Sequence, residues 1–238
     1  MSKLQWDKTG ERFYELGVDH GVLYPWDNTN NTYGTGVVWN GLTGVTESPD
    51  GADANDLWAD NIKYATLRAA ETFGATIEAY TYPDEFGECD GTAEPVTGVK
   101  LGQQKRKPFG FVFRSQIGND TASDSDDGYL LHIIYNATAS PSDRSYETIN
   151  DSPDAITFSW EITTSPVAVG IDGYKPVSTI VVDSRKFTGA NESKLTALED
   201  QLFGKDPTTS GGNDGITANL PSPLQVLTYL NGGTAPTA

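Results

Sequence analysis

The chain has 238 residues, of which 33 are acidic and 16 basic, so its formal net charge is −17 at pH 7. A surface with that charge repels phosphate groups, which argues against a nucleic-acid-binding protein. The single cysteine, Cys89, excludes an internal disulfide framework and a cysteine-based zinc site, and it is typical of synthesis in a reducing cytoplasm. No run of 18 uncharged apolar residues occurs, so we expect no membrane partner.

Short segments rich in Val, Ile, Thr, Tyr and Phe are separated by turns that contain many of the 25 glycines and 13 prolines. This pattern is typical of an antiparallel β protein. In chain order, residues 37–45 are predicted to form a strand with a turn or bulge at Asn40-Gly41. Residues 62–69 are compatible with a strand or a short helix. Residues 75–80 alternate with the period of two that a half-buried strand shows.

Charges are sorted along residues 75–114, where an acidic turn precedes a basic run. The acidic residues are Asp84, Glu85, Glu88 and Asp90, and the basic ones are Lys105, Arg106 and Lys107. Separated patches of opposite sign favour docking against another copy of the chain. We therefore predict that these seven residues lie at a subunit interface. Three phenylalanines on one face of the next strand follow the basic run: Phe109, Phe111 and Phe113.

Three further strands are predicted in the second half of the chain, at residues 129–135, 156–163 and 177–182. The first is apolar on both faces and is expected to be covered on both sides, by a second layer or by a neighbouring subunit. The second alternates cleanly, with Trp160 on its apolar face, and that residue is expected in the core.

Leucines at helical spacing predict a helix over residues 191–203, with Asn191 as its N-cap and Gly204 after its last turn. Residues 220–230 are compatible with a last strand or a short helix. The predicted organisation is one β domain over residues 1–205, an antiparallel sandwich or barrel with one flanking helix, and a partly flexible C-terminal extension over residues 206–238.

No catalytic or cofactor motif is present, so neither an enzyme nor a cofactor is expected. Four carboxylates in one short turn do not supply the facing pair that glycoside hydrolysis needs. His20 and His132 are too few for a histidine-based zinc centre, and His132 is expected to be structural. The loop Asp120–Asp127 resembles a calcium loop only faintly, because the EF-hand spacing and its terminal glutamate are missing. The sequence favours an acidic hairpin tip, and it does not decide whether this loop binds a cation.

Several sequence blocks, in order, resemble the major tail proteins, or tail tube proteins, of long non-contractile-tailed bacteriophages of Gram-positive hosts. The blocks are GERFYE (10–15), GVLYP (21–25), YGTGV (33–37), ADNIKY (59–64), FGATIEAYTYPDEF (73–86), CDG (89–91), GQQ (102–104) and FSWEI (158–162). The resemblance runs to about residue 169 and fades after residue 206.

The resemblance implies a β-sandwich or barrel whose subunits form hexameric rings. These rings stack head to tail into a tail tube through which genome DNA passes without specific binding. It also implies a virion location and contacts with tape measure, tail terminator and tail tip proteins. The alternative is a carbohydrate-binding β-sandwich, which would expose a row of the five tryptophans or of tyrosines on one face.

Overall fold

The computed structural model describes residues 3–51, 53–121, 127–146, 148, 155–209, 212–234 and 236. The strands in chain order are β1 (Phe13–Asp27), β2 (Thr32–Tyr33), β3 (Val37–Trp39), β4 (Leu42–Glu47), β5 (Ala54–Ala59), β6 (Ile62–Arg68), β7 (Gly74–Ala79), β8 (Ala93–Val96), β9 (Val99–Leu101), β10 (Phe109–Asn119), β11 (Gly128–Ala139), β12 (Phe158–Thr164) and β13 (Thr179–Asp183). The α-helices are α1 (Phe86–Cys89), α2 (Glu192–Phe203) and α3 (Pro223–Leu230). The predicted mainly antiparallel β fold is confirmed.

Nine of these strands form one antiparallel sheet in the order β2-β1-β10-β11-β12-β7-β4, with β13 beside β11 and β3 beside β1. β5 pairs with β6, and β8 with β9, in two separate hairpins. The segment expected to be strand or short helix at residues 62–69 is therefore the strand β6.

The sheet is curled, because the two residues Asn40-Gly41 are enough to connect a strand at one of its edges to a strand at the other. β3 pairs with β1, whereas β4, two residues later, pairs with β7 at the far edge. Gly41 has φ +79°, and a Cβ there would lie 2.9 Å from the Thr81 side chain. Glycine meets both constraints without strain, so the predicted turn is confirmed, and it gives the sheet a barrel-like form.

The concave side of the sheet holds an aromatic core. Trp160 is 1% exposed, and its ring packs edge-on against Trp39 at 5.5 Å between ring centroids. Phe109, Phe111 and Phe113 share this side, as their alternation predicts.

The opposite side of the sheet is covered by the two longer helices. Their buried residues Leu195, Leu198, Leu202 and Val226 pack against Leu131, Ile133 and Tyr135 of β11. β11 is thus covered on both faces within one chain, because Ile134 belongs to the concave core. α2 is the longest described helix at 12 residues, and none of the described helices is long and apolar enough to cross a membrane.

The helix predicted over residues 191–203 is α2, and residues 220–230 contain the helix α3. Asn191 stands at the N-cap position of α2, but its side chain makes no capping hydrogen bond. α3 begins with a capping box between Ser222 and Gln225 and with Pro223 in its first turn. The boundary at residue 205 stays a prediction. Leu220 and Val226 lie in the same apolar cluster as α2, which favours close packing of the extension on the domain.

Candidate assembly surfaces

The hairpin β5–β6, which we call the arm, projects from one end of the β4–β7 strand pair. Its two-residue turn, Asp60-Asn61, has φ +50° and +62°, the left-handed values that a tight hairpin requires. An antiparallel bridge between Asp50 and Thr72 continues the ladder at its root. The six residues of β5 and the seven of β6 give the arm a length of about 20 Å.

One face of the arm is apolar and uncovered. Residues that lie opposite each other in the ladder share a face, so the pairs Asn55–Leu67, Leu57–Ala65 and Ala59–Ile62 lie together. In this face Leu57 is 41% exposed, Ile62 62% and Leu67 56%. An isolated hairpin is marginally stable in water, and clustered exposed apolar side chains mark a protein interaction site.

The other face of the arm is mixed, because it carries the polar residues Asp56, Lys63 and Thr66 and also the exposed Trp58. The Asp56 carboxylate accepts a hydrogen bond from the Thr66 hydroxyl at 2.8 Å and pairs with Lys63 at 2.8 Å. Sequence reasoning did not single out the arm as an interface. The informative pattern was Asp60-Asn61 between two alternating segments, which predicts a hairpin but does not reveal that its apolar face lacks a cover.

The acidic turn at residues 82–91 folds around the short helix α1. Phe86 and Cys89 are fully buried. The centroid of the Phe86 ring lies 4.6 Å from that of Trp39 and 5.2 Å from that of Trp160. The turn is therefore anchored in the aromatic core, while Asp84, Glu85 and Glu88 stay exposed.

The acidic turn and the basic run lie together within one chain. Their backbones are joined by hydrogen bonds from Gln104 N–H to the Gly91 carbonyl at 2.9 Å and from Lys107 N–H to the Glu88 carbonyl at 3.1 Å. The Lys107 ammonium also pairs with the Glu88 carboxylate, and the Arg106 side chain lies against Gly91.

Two more cations neutralise the acidic turn. Lys100 binds Asp84 at 2.9 Å, which raises the pKa of Lys100, and Arg144 pairs with Asp90. Sequence reasoning missed Arg144, because it lies 54 residues after its partner. Among the described residues, Glu85, Lys105 and Arg106 form no ion pair, so of the seven predicted interface residues these three keep uncompensated charges. The interface role of all seven stays a prediction.

The exposed carboxylates line a cavity of about 440 Å³, which we call the acidic groove. Its lining includes Asp84, Glu85, Glu88, Glu94 and Lys100. It lies at the end of the β4–β7 pair where Leu42 is opposite Ala79. The arm leaves from the other end, where Glu47 is opposite Ala75. The two surfaces are thus at opposite ends of this strand pair.

The two histidines and the acidic hairpin do not form a metal centre in the described part of the chain, where no group of three or more potential ligands occurs. The His132 ring stacks on Phe113 at 4.5 Å, and its Nε2 lies 3.0 Å from the Ser115 hydroxyl. Burial lowers the pKa of His132, which is consistent with a structural role. Asp120 accepts a hydrogen bond from Gly10 N–H at 2.8 Å, whereas Asp124 and Asp126 lie outside the described residues.

The sequence profile of the phage tail tube protein family matches residues 2–211 of this chain. The chain belongs to the phage tail tube protein family. It is therefore a structural component of a bacteriophage tail, as the resemblance of its sequence blocks implied. No curated protein matches it at a significant level.

Two solved structures from an extracellular contractile injection system, PVC, are distantly similar to this tail tube protein. The sheath/tube terminator in the extended state is 12% identical with a TM-score of 0.30, over 76% of this chain and 99% of the terminator chain. A chain of the sheath-tube complex in the extended state is 12% identical with a TM-score of 0.27, over 69% of this chain and 88% of that chain.

Cys89 of this tail tube protein should be inert to thiol reagents. Burial, and then the neighbouring Glu88 carboxylate, raise the pKa of its thiol to about 12, so the thiolate is scarce. We expect no labelling by a maleimide at pH 7 in the folded protein and one label per chain after denaturation, measured by mass spectrometry. Fast labelling of the native protein would contradict the buried position.

Proposed function

We propose that this tail tube protein assembles into hexameric rings that stack head to tail into the tail tube of a siphophage, the conduit for genome DNA. The observation that carries the proposal is the arm, whose apolar face has no cover within the described chain. A second copy of the chain is the partner that a tube offers to every subunit. The host range, Gram-positive bacteria, is proposed from the resemblance of the sequence blocks.

The positions of the two surfaces support head-to-tail growth. Stacked rings require one surface to fit a different surface of the next copy, because a self-complementary contact closes as a dimer. The arm and the acidic groove lie at opposite ends of the β4–β7 pair. They also differ in chemistry, because the arm has an apolar face and the acidic groove is lined by charged residues. Such an arrangement suits an open, repeating assembly.

The charge of the chain suits a conduit for DNA. With a net charge of −17 per subunit, a lumen that shares the overall sign repels phosphates and offers the passing genome no binding sites. We further propose that the protein contacts the tape measure, terminator and tip proteins of the tail. It is made in the host cytoplasm, becomes part of the virion and has no enzymatic activity. The concave face offers a carbohydrate no row of rings, because Trp39 and Trp160 are buried in the core that fills it; the exposed Trp58 and Tyr64 lie on the arm.

Electron microscopy of the purified protein over a range of concentrations tests the proposal. We expect rings or tubes of uniform width that become more numerous with concentration or on addition of tail tips, which can nucleate growth. Particles that stay monomeric at every concentration and also with tail tips present would contradict it.

Reversing the charge of Lys105 tests the predicted role of the basic run. Lys105→Glu should slow tube growth several-fold, since charges at an interface act mainly on the association rate. The folded monomer should keep its thermal stability, because Lys105 is exposed and pairs with no described carboxylate. Lys107→Glu is not an equivalent test, because Lys107 holds Glu88 within the chain. Unchanged growth of Lys105→Glu, followed by light scattering, would remove Lys105 from the interface.

A further inference from the structure

A second cavity, which we call the root groove, lies where the arm joins the sheet. It has a volume of about 510 Å³, and its lining includes Phe73, Pro166 and Val177 together with the charged Glu71 and Lys175 and with Thr179. Phe73 directly precedes β7 and packs against the aromatic core. The floor of the root groove is therefore apolar and supported by the sheet, which gives a rigid receptor surface.

Two groups of the root groove lack partners within the described chain. The Thr179 hydroxyl oxygen is buried and makes no hydrogen bond to any described residue. A buried hydroxyl without a hydrogen bond costs free energy, on the order of 1–3 kcal/mol. Lys175 likewise forms no ion pair with a described carboxylate. An incoming polypeptide that supplies a hydrogen-bond partner and a negative charge would satisfy both groups.

We propose that the root groove of each subunit receives the apolar face of the arm of another copy. This inference rests on the proposed self-assembly and specifies the surface that the arm contacts. Leu57 and Ile62 would cover the apolar floor, and Asp60 in the turn, which pairs with no described cation, would reach Lys175. A backbone group of the same turn would bond the Thr179 hydroxyl after a small shift of the side chains that cover its oxygen.

The geometry makes this contact open-ended. The root groove lies at the base of the arm, and the Asp60-Asn61 turn lies about 20 Å away, at the far end of β5 and β6. A subunit that inserts its arm into one neighbour leaves its own groove free for a third copy. Two copies that exchanged arms reciprocally would close as a dimer; the proposed contact is instead heterologous, and it propagates around a ring or along a helix.

Site-specific cross-linking distinguishes this contact from its alternatives. The variant with Asn61→Cys and Pro176→Cys places one thiol in the arm turn and one at the root groove and keeps Lys175, while Cys89 stays buried. In assembled particles a short bis-maleimide should join chains into a ladder that exceeds the dimer. The matched control combines Asn61→Cys with Glu85→Cys in the acidic groove and should give no ladder.

The cross-linking outcomes separate failure of this inference from failure of the proposed function. If particles form and only the control pair gives a ladder, the arm docks at the acidic end and the inference is wrong. Cross-links confined to one chain, or only dimers, would also overturn it, because they indicate an arm that folds back or a self-complementary contact. Absence of rings and tubes in the unmodified chain, seen by electron microscopy, would instead refute the proposed assembly.

Two sets of substitutions test the individual contacts. Asp60→Lys and Lys175→Glu should each slow tube growth several-fold, and the double variant should restore the rate to within about two-fold. Thr179→Val should raise the protein concentration needed for tubes by roughly two- to ten-fold, the size of one lost hydrogen bond. The isolated Thr179→Val monomer should unfold at the same or a higher temperature. Additive slowing by the two charge changes, or unaltered growth of Thr179→Val, would refute the contact.

Discussion

Replacing Leu57, Ile62 and Leu67 of the arm together with threonine is expected to leave the chain folded but to prevent tube formation. Each of these side chains contributes about 1.5–3 kcal/mol when it is fully buried. Even half of that from three residues would raise the protein concentration needed for tubes more than about 20-fold, since each 1.4 kcal/mol corresponds to a factor of ten. Threonine keeps the β preference of the two strands. Pelleting assays over a concentration series measure the effect.

The fold of the triple variant should be unaffected, because the three side chains are exposed and lie outside both apolar clusters of the main sheet. The thermal unfolding midpoint should therefore match that of the unmodified protein. A matched control replaces three exposed apolar residues outside the arm and the acidic groove, Val38, Ile156 and Val181, with threonine. We expect a much smaller change there, because none of these residues is a ladder neighbour of another and they do not form one apolar face. Tubes of the arm variant at the usual concentration would disprove the role of the arm.

The elements that sequence predicted well depend on local patterns. Alternation identified β7 and β12, and leucine spacing identified α2, because a periodic apolar face contacts one continuous surface. β11 was predicted as covered on both faces for the same reason. Such patterns predict burial correctly when the sequence of a single element decides which of its side chains face the core. The position of Trp160 in the aromatic core was predictable in this way.

The candidate surfaces were harder to predict, because they depend on contacts between distant residues. The apolar residues of the arm have the alternation of a half-buried strand, and only the fold shows that nothing covers them. The acidic turn has the composition of a solvated loop, but Phe86 is buried and Arg144 neutralises Asp90 from 54 residues away. Opposite charges that suggested contacts between copies already pair within one chain at Lys107 and Glu88. Charge sorting alone cannot tell an internal pair from a contact between subunits.

Substituting Phe86 with alanine should destabilise the monomer by about 3–5 kcal/mol, the range for removing a fully buried aromatic side chain. The ring is completely buried and contacts four other rings, those of Trp39, Tyr82, Phe109 and Trp160. Because folded domains are stable by only about 5–15 kcal/mol, this change would remove a large part of the free energy of unfolding. Urea unfolding followed by tryptophan fluorescence measures it.

The neighbouring substitution Glu85→Ala gives the control, because Glu85 is exposed and its removal should change the free energy of unfolding by less than about 0.5 kcal/mol. The contrast between adjacent residues separates the two parts of the acidic turn. Phe86 fixes the turn to the core, and the exposed carboxylates then keep a defined position at the end of the sheet opposite the arm. If Phe86→Ala costs less than about 1 kcal/mol, the turn is not anchored. The acidic groove would then lack the rigid support that a stacking surface needs.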